Sequence, residues 1–233
     1  MTDNRNCQLT GLHGGAEALA TAFLFVNDVQ GNQIDALFQA MVELIHDRVG
    51  AARLGSIPQA VKQIVNILRF QCCSIADGEK EGDILYSKHV RTLTLIKGLA
   101  ANSRTLQSDL GSCGAVSAVL SSLQLAVSAL RSYTQVEKKL KGKEEMKRTG
   151  ESVRGDKGSF HARIDVCYSQ QLLTEAAINA LAALCLACEE NRALASSVSE
   201  LETLVYISSC TYLPHNVQQL ARHTLEILHT SNE

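Results

Sequence analysis

The sequence predicts an all-α fold in which one helical unit is stacked several times along an axis. The composition disfavours a β-fold, because aromatic residues make up only 4% of the 233 residues and tryptophan is absent. Only two prolines interrupt the helical periodicity. The pattern Ala-x-x-x-Leu-x-x-Leu occurs in residues 177–184 and again in 221–228, and it has the spacing of a buried helical stripe. We therefore expect a right-handed α-solenoid of about four repeats.

The last sixty residues show the repeated unit most clearly. A helix is predicted over residues 175–188, followed by a polar break at 189–191 and a short helix at 192–198. Ser199 and Glu202 have the spacing of a capping box, which predicts the start of a second helix. Pro214 suits the first turn of a third helix, because its missing N–H needs no partner there.

The same three-helix unit is predicted at two places upstream. Each unit begins with a short helix, which starts at Arg48, Arg104 or Arg192. A long second helix and an inner third helix follow, and the predicted pairs cover residues 58–75 and 88–101, 114–133 and 172–188, and 199–212 and 216–229. Two further helices, at 9–29 and 33–46, lack a short helix and are predicted to form an N-terminal cap.

The spacing between the units predicts two insertions. Arg48 and Arg104 are 56 residues apart and Arg104 and Arg192 are 88 apart, whereas helical repeats of this kind have periods of roughly 40 to 47 residues. Insertions of 15 and 44 residues between second and third helices reduce these spacings to 41 and 44. The smaller insertion is expected around residues 77–83. The larger one includes residues 135–159, which carry eight Lys/Arg, five Asp/Glu and only four apolar residues, and we expect this basic stretch to be disordered.

Charge and cysteine content favour a single cytoplasmic domain over residues 1–233, with residues 1–10 as an N-terminal tail. The net charge of −2 provides no general attraction to nucleic acid or to an anionic membrane. The first residues contain no apolar segment of the length that a signal peptide needs. Eight cysteines without an N-x-[ST] acceptor fit a reducing compartment. A nuclear location stays open, because basic pairs occur at Lys138-Lys139 and Lys147-Arg148.

Motifs that carry chemistry are largely missing from the sequence. Neither G-x-x-x-x-G-K-[ST] nor G-x-G-x-x-G after a strand is present. Cys185-x-x-Cys188 lies inside a helical stripe without a second pair at metal-site spacing, so a structural role is favoured over a zinc or redox site. Histidines at 215, 223 and 229 do not have the i, i+4 spacing of a metal pair. We therefore predict no cofactor, no metal site, no small-molecule substrate and no enzymatic activity.

Three segments resemble the armadillo repeat family. Residues 102–123, NSRTLQSDLGSCGAVSAVLSSL, resemble the family signature, in which Asn-x-Arg leads through a leucine to Gly-Ala-Val and a leucine-rich second helix. Residues 189–205, EENRALASSVSELETLV, resemble it again, and residues 217–228, VQQLARHTLEIL, are similar to the third helix of the family. The resemblance extends over residues 11–230 as four units. HEAT repeats share the superhelical arrangement, so the choice between armadillo and HEAT stays open.

The resemblance implies a concave groove that is lined by third helices and binds a protein or peptide partner. Family members often hold an extended peptide through an asparagine just before the final leucine of the third helix, and Glu43, Gly98, Ala183 and Ile227 occupy these positions here. None of these is asparagine, which argues against an asparagine ladder. Polar residues one and two turns earlier, together with Glu43, are therefore predicted to line the groove. They are Asp35, Gln39, Glu43, Arg91, Thr94, Glu175, Asn179, Gln219 and His223.

Two functions follow as hypotheses. The first is a non-enzymatic scaffold or adaptor that displays the groove to a protein partner, with no membrane contact and with nucleic acid disfavoured as a ligand. The alternative is a nucleic-acid or nuclear-transport adaptor acting through the basic residues 135–159. This alternative predicts salt-sensitive binding that is lost when the basic residues are deleted.

Overall fold

The computed structural model describes residues 14–25, 32–76, 82–147 and 158–230. These ranges contain eleven α-helices and no β-strand, so the predicted all-α class is confirmed for the described residues. The helices are α1 Gly15–Phe25, α2 Asn32–Leu44, α3 Arg48–Gly55, α4 Pro58–Ala76, α5 Gly82–Ala100, α6 Arg104–Ser112, α7 Ala115–Lys147, α8 Gly158–Cys185, α9 Glu189–Ala195, α10 Val198–Ser209 and α11 His215–His229. The predicted tail, residues 1–10, lies outside the described residues.

The third short helix, α9, begins three residues before the predicted start at Arg192. Cys188 precedes it in an extended conformation, and Glu189 and Glu190 occupy the first turn. Carboxylates in this position interact favourably with the partial positive charge of a helix N-terminus. The polar residues that were predicted to break the chain therefore start the helix.

The second helix of the last unit, α10, is not capped as predicted. It begins at Val198 with Ser197 as the N-cap residue, and no side chain accepts a hydrogen bond from its first turn. The Ser199 hydroxyl donates to the Glu200 carboxylate at 2.8 Å, so Ser199 does not form a capping box with Glu202. Pro214 is the N-cap residue of α11 and not a member of its first turn.

Helices α7 and α8 are both longer than the sequence predicted. The backbone of α7 stays helical through residues 135–147, where a disordered insertion was expected, and α8 already begins at Gly158. Lysine and glutamate dominate residues 135–147, and both are good helix formers, so helix propensity accounts for the difference. Residues 148–157 lie outside the described residues, as do residues 77–81 of the smaller predicted insertion.

The long helices pack in two rows. One row runs from α2 through α5 and α8 to α11, and each of these helices makes extensive contacts with the next. The other row runs from α1 through α4 and α7 to α10 in the same way, and the two rows pack face to face. The short helices α3, α6 and α9 lie at one edge of the rows, where each contacts long helices of both. We call α2, α5, α8 and α11 the third-helix row.

The core lies between the two rows. The predicted stripe of α8 is confirmed, because Ala177, Ala180, Leu181 and Leu184 are all fully buried. Phe23 of α1 and Phe38 of α2 meet edge to face, with ring centroids 5.4 Å apart. Such a contact adds to the stabilisation that burial of the two rings already provides.

Side chains of the short helices donate hydrogen bonds to backbone carbonyls at the C-terminal ends of α5 and α8. Gln107 Nε2 donates to the Ala100 carbonyl at the end of α5, and Arg192 Nη1 donates to the Cys185 carbonyl at the end of α8. Asn191 Nδ2 is within 2.8 Å of the Gln107 carbonyl and of the Leu184 carbonyl. The bonds to Ala100, Leu184 and Cys185 matter because the last carbonyls of a helix have no partner within the helix.

The turn between α6 and α7 depends on Gly114. Its φ of +84° lies in the left-handed region, where a side chain is strained. Arg69 of α4 reaches the same turn and donates from Nη2 to the Cys113 carbonyl at 3.0 Å. A β-carbon on Gly114 would collide with this guanidinium. The α6–α7 turn therefore needs glycine both for its backbone conformation and for the approach of Arg69.

One stretch of α7, Ala115–Ser132, is long and apolar enough to cross a membrane by length and composition. Within the protein 56% of this stretch is buried, and core helices of soluble proteins pass the same test. Packing of α7 against α4, α8 and α10 accounts for its apolar character.

Candidate interaction surface

Helix α8 occupies the centre of the candidate surface. It contacts α5 on one side and α11 on the other, and it packs against α7 from behind. One face of α8 is therefore left towards solvent. We define the α8 stripe as the residues that this face presents at successive spacings of four and three, namely Tyr168, Leu172, Glu175, Asn179 and Ala182. Leu186 follows in the bend after Cys185, the last residue of α8.

The α8 stripe combines exposed apolar side chains with polar ones. Tyr168 and Leu186 are 62% and 61% exposed, and Leu172 is 39% exposed. Glu175 and Asn179 are half-buried between these apolar ends. An exposed surface that mixes aromatic and aliphatic groups with a few polar groups has the composition of a protein-binding surface.

The predicted groove residues of the first two units lie on α2 and α5. Gln39 is exposed and Glu43 is half-buried, and Gln39 Nε2 donates to Glu43 Oε1 at 2.8 Å. Arg91 and Thr94 are half-buried on α5, and the Thr94 hydroxyl donates to the Val90 carbonyl at 2.8 Å. The side chain of Asp35 lies outside the described residues.

The predicted groove residues of the last two units lie on α8 and α11. Asn179 Nδ2 donates to the Glu175 backbone carbonyl at 3.0 Å. Gln219 and His223 are exposed; Gln219 Nε2 lies 3.0 Å from His215 Nε2, and His223 Nδ1 lies 3.4 Å from Glu226 Oε2. On α2, α5, α8 and α11 alike, each hydrogen bond described for a predicted groove residue joins it to a residue of the same helix. Apart from Asp35, the predicted residues are exposed or half-buried along the third-helix row, and no hydrogen bond joins them across it in the described part of the chain.

The positions that correspond to the asparagines of the armadillo family differ in burial and in what they contact. Ile227 is 7% exposed and belongs to the core. Gly98 is half-buried, and a β-carbon there would collide with the Ile45 side chain. Ala183 is half-buried and packs against the core. Gly98 and Ile227 therefore hold helices together instead of offering polar groups to a ligand.

Sequence reasoning missed the apolar part of the surface. The helix predicted over residues 175–188 includes Leu186, which instead lies in the bend after α8 with its side chain mostly exposed. Tyr168 and Leu172 were assigned no role. Their spacing from Glu175 and Asn179, at i+7 and i+11 from Tyr168, was the available signal, because it places them on the face opposite the buried alanines.

A cysteine, a histidine and a serine lie close together in the core, where α4, α5 and α7 meet. They are Cys72, His89 and Ser122; the Ser122 hydroxyl is 2.8 Å from His89 Nε2 and 3.3 Å from Cys72 Sγ. His89 and Ser122 are fully buried. Burial lowers the pKa of His89 to about 4 and raises the pKa of Cys72, so both groups are neutral near pH 7. A buried neutral cluster of this kind stabilises helix packing and offers no surface to a substrate.

Cys185 is the last residue of α8 and Cys188 is the N-cap residue of α9, so the pair does not lie inside one helix as predicted. Both cysteines are buried. Burial raises the pKa of Cys185 to about 12 and also raises that of Cys188. The Cys188 thiol lies 3.2 Å from Glu190 Oε2, to which it donates. Among the described residues, no group of three His, Cys, Asp or Glu side chains is arranged to hold a metal ion.

Comparison of the chain with profiles of known protein families, with curated proteins and with solved structures finds no match. The packing of the helices and the chemistry of the surface are therefore the basis for a functional proposal.

Proposed function

We propose that the protein is a non-enzymatic interaction scaffold, built as an armadillo-like α-solenoid of about four units, which presents the third-helix row to a protein partner. The observation that carries this proposal is the α8 stripe. Tyr168 and Leu172 of the stripe are 62% and 39% exposed, and Leu186, in the bend after α8, is 61% exposed. Exposed apolar side chains beside polar groups have the composition of a protein-binding site.

The lengths of the helical units support the repeat architecture. From the start of the short helix to the end of the third helix, the units cover 53, 82 and 41 residues, so the first two exceed the last by 12 and 41. The short helices start at residues 48, 104 and 189. When the two excesses are removed, both spacings become 44 residues, which agrees with a period of roughly 40 to 47 for such repeats.

The packing of the rows supports rigid display as the mechanism. Each third helix is held by a neighbour on the row and by a second helix behind it, and α5, α8 and α11 are also contacted by short helices. Polar groups such as Asn179 and His223 would supply specificity around the apolar contacts of the stripe. A surface that is ordered before binding loses less conformational entropy when the partner arrives.

Affinity capture with the immobilised chain tests the proposal. We expect the variant Asn179→Ala plus His223→Ala to retain less of the partners that the wild type captures, by about tenfold, because polar groups at the centre of an interface commonly contribute 1 to 2 kcal/mol. The matched control is Gln59→Ala plus Asn66→Ala, which removes exposed polar side chains from α4.

The control variant is expected to capture the wild-type set of partners. Circular dichroism establishes that both variants are folded. An unchanged set of partners with the folded Asn179→Ala plus His223→Ala variant would contradict the assignment of the surface.

A further inference from the structure

A cavity of about 610 Å³ lies between the first turns of α7 and the start of α10. Leu194 of α9 lines one side of it, and the turn between α6 and α7 lines one end. Its volume falls in the range of about 300 to 1,000 Å³ that ligand pockets occupy. We call it the α7–α10 cleft. None of the described residues that line it belongs to the third-helix row, so its ligand does not depend on the proposed function.

Two polar side chains face each other across the cleft. Gln124 Nε2 of α7 lies 3.5 Å from Glu200 Oε1 of α10, which is long for a hydrogen bond and therefore weak. Glu200 is the charged residue among the described residues that line the cleft. Its other carboxylate oxygen accepts from the Ser199 hydroxyl at 2.8 Å. In the described part of the chain, no cation forms an ion pair with this half-buried carboxylate.

The lining of the cleft has more hydrogen-bond acceptors than donors. A carboxylate can accept about four hydrogen bonds, and Glu200 receives two. No described residue donates to Gln124 Oε1. The Ser121 hydroxyl donates its proton to the Ser117 carbonyl, so its oxygen faces a ligand as an acceptor. A ligand that fits these groups has several donors and a positive charge, and an anion is disfavoured by Glu200.

Apolar side chains line the cleft beside its polar groups. Leu194 is 61% exposed on the α9 side, and Leu120 lies in the floor on the α7 side. A small hydrated cation would pair with Glu200 and leave Leu194 uncovered. A cationic group on an aliphatic stem covers both, because such stems lie along apolar surfaces while their charged ends make polar contacts.

We propose that the α7–α10 cleft binds an arginine side chain of a protein partner. The guanidinium lies between Glu200 and Gln124 and donates to both, and the methylene stem packs on Leu194. Arginine fits better than lysine, because its planar guanidinium has five N–H donors that can reach two acceptor groups at once. Ser121 and Leu194 are exposed at the rim, so the backbone of the partner can stay outside the cleft.

The packing of α7 against α10 already accommodates one guanidinium. Arg131 lies seven residues beyond Gln124 on α7, and its guanidinium carbon is 4.6 Å from the ring centre of Tyr206 on α10. This pair shows that the spacing of the two helices admits a planar cation. At the cleft the same kind of group would meet a carboxylate, and charge-assisted hydrogen bonds are stronger than neutral ones.

Nuclear magnetic resonance of the full, isotope-labelled chain tests the proposal, with N-acetyl-L-arginine amide as the probe. The blocked probe presents the side chain as a peptide does, without terminal charges. We expect saturable shifts of the backbone amides of Ser121, Gln124 and Glu200, with a dissociation constant of about 1 mM, as befits a single side chain. Absence of saturable shifts at these amides up to about 20 mM probe overturns the proposal.

The variant Glu200→Gln removes the charge and keeps the shape of the side chain. Its dissociation constant for the probe is expected to rise at least about tenfold. The matched control is Glu202→Gln, which makes the same change at an exposed position of α10 that does not line the cleft, and it should bind within about twofold of the wild type. The amide spectra establish that both variants are folded. Equal binding by Glu200→Gln and the wild type overturns the site.

Related probes test the chemistry of recognition. N-acetyl-L-citrulline amide replaces the guanidinium by an uncharged group of the same length, and it should bind at least about tenfold more weakly. N-acetyl-L-lysine amide should also bind more weakly, because its ammonium is a point charge. Equal binding of either probe overturns recognition of a guanidinium at two points. Free L-arginine that binds at least about tenfold more tightly than the blocked probe overturns a protein as the source of the side chain.

Discussion

His89 is an ionisable side chain placed in the core without a charged neighbour to stabilise its protonated form. Its Nε2 atom meets the Ser122 hydroxyl, and its Nδ1 atom has no hydrogen-bond partner among the described residues. Desolvation is the cause that lowers its pKa from 6.5 to about 4. The folded protein therefore holds this imidazole neutral over a pH range in which the unfolded chain protonates it.

We predict that the free energy of unfolding decreases as the pH falls from 6.5 to 4. Since the pKa of His89 is lower in the folded state, the unfolded state binds more protons in this window, and protons favour unfolding. The contribution of His89 is fully present above pH 6.5. A difference of this size in pKa corresponds to a loss of about 3 kcal/mol at pH 4. Urea denaturation at several pH values measures it.

The variant His89→Gln isolates this contribution from that of the other titrating groups. Both proteins share the carboxylates and the surface histidines, so the difference between their pH profiles reports on residue 89. The variant is expected to lose less stability than the wild type between pH 6.5 and 4. Parallel profiles would show that His89 does not titrate as its burial requires.

At the scale of the helices, Asn191 connects α9 to α6 and α8 by hydrogen bonds. Its amide donates to the Gln107 carbonyl of α6 and to the Leu184 carbonyl of α8, and the residue is 1% exposed. We predict that Asn191→Ala lowers the free energy of unfolding by about 3 kcal/mol, because two buried carbonyls lose their donor. Thermal or urea denaturation measures the loss.

Asn102→Ala is the matched control for Asn191→Ala. Asn102 Nδ2 donates once, to the Gly98 carbonyl, and the side chain is only half-buried. Its removal is expected to cost about 1 kcal/mol, since water can replace the lost donor. Equal losses in the two variants would mean that Asn191 does not hold α6, α8 and α9 together.

Asn191 also illustrates why the sequence predicted the bounds of some helices well and missed the start of α9. The prediction for α4, residues 58–75, differs from Pro58–Ala76 by one residue, because a proline and a regular apolar spacing mark it locally. The first turn of α9 contains Asn191, whose amide donates to the carbonyl of Gln107, 84 positions away. A polar triplet read locally predicts a break, and a contact over this distance cannot be read from the local pattern.

The candidate surface was predictable to a similar extent. Helical periodicity placed Glu175 and Asn179 on the accessible face of α8, and both are half-buried there. Periodicity does not distinguish a leucine that meets a neighbouring helix from one that meets solvent. The exposure of Leu172 depends on how the neighbouring helices pack around α8, and that of Leu186 on where α8 ends; no local pattern encodes either.

At the scale of the whole molecule, the packing links neighbours along each row. Helix α2 makes its extensive contacts with α1 and α5, and α11 makes its own with α8, α9 and α10. Under the proposed repeat architecture, stability is close to a sum of local terms and nearest-neighbour terms. A destabilising substitution at one end of the rows should therefore have little effect on the stability of the helices at the other end.

We predict that two matched core substitutions reduce amide protection in different halves of the chain. Leu44 of α2 is 2% exposed and Leu228 of α11 is 6% exposed, so replacing either by alanine should cost about 3 kcal/mol. In hydrogen exchange followed by mass spectrometry, Leu44→Ala should accelerate exchange in α1 to α5 and leave α10 and α11 near the wild-type rate. Leu228→Ala should show the reverse. Uniform acceleration along the chain in both variants would mean that the rows unfold as one cooperative unit, against a nearest-neighbour description.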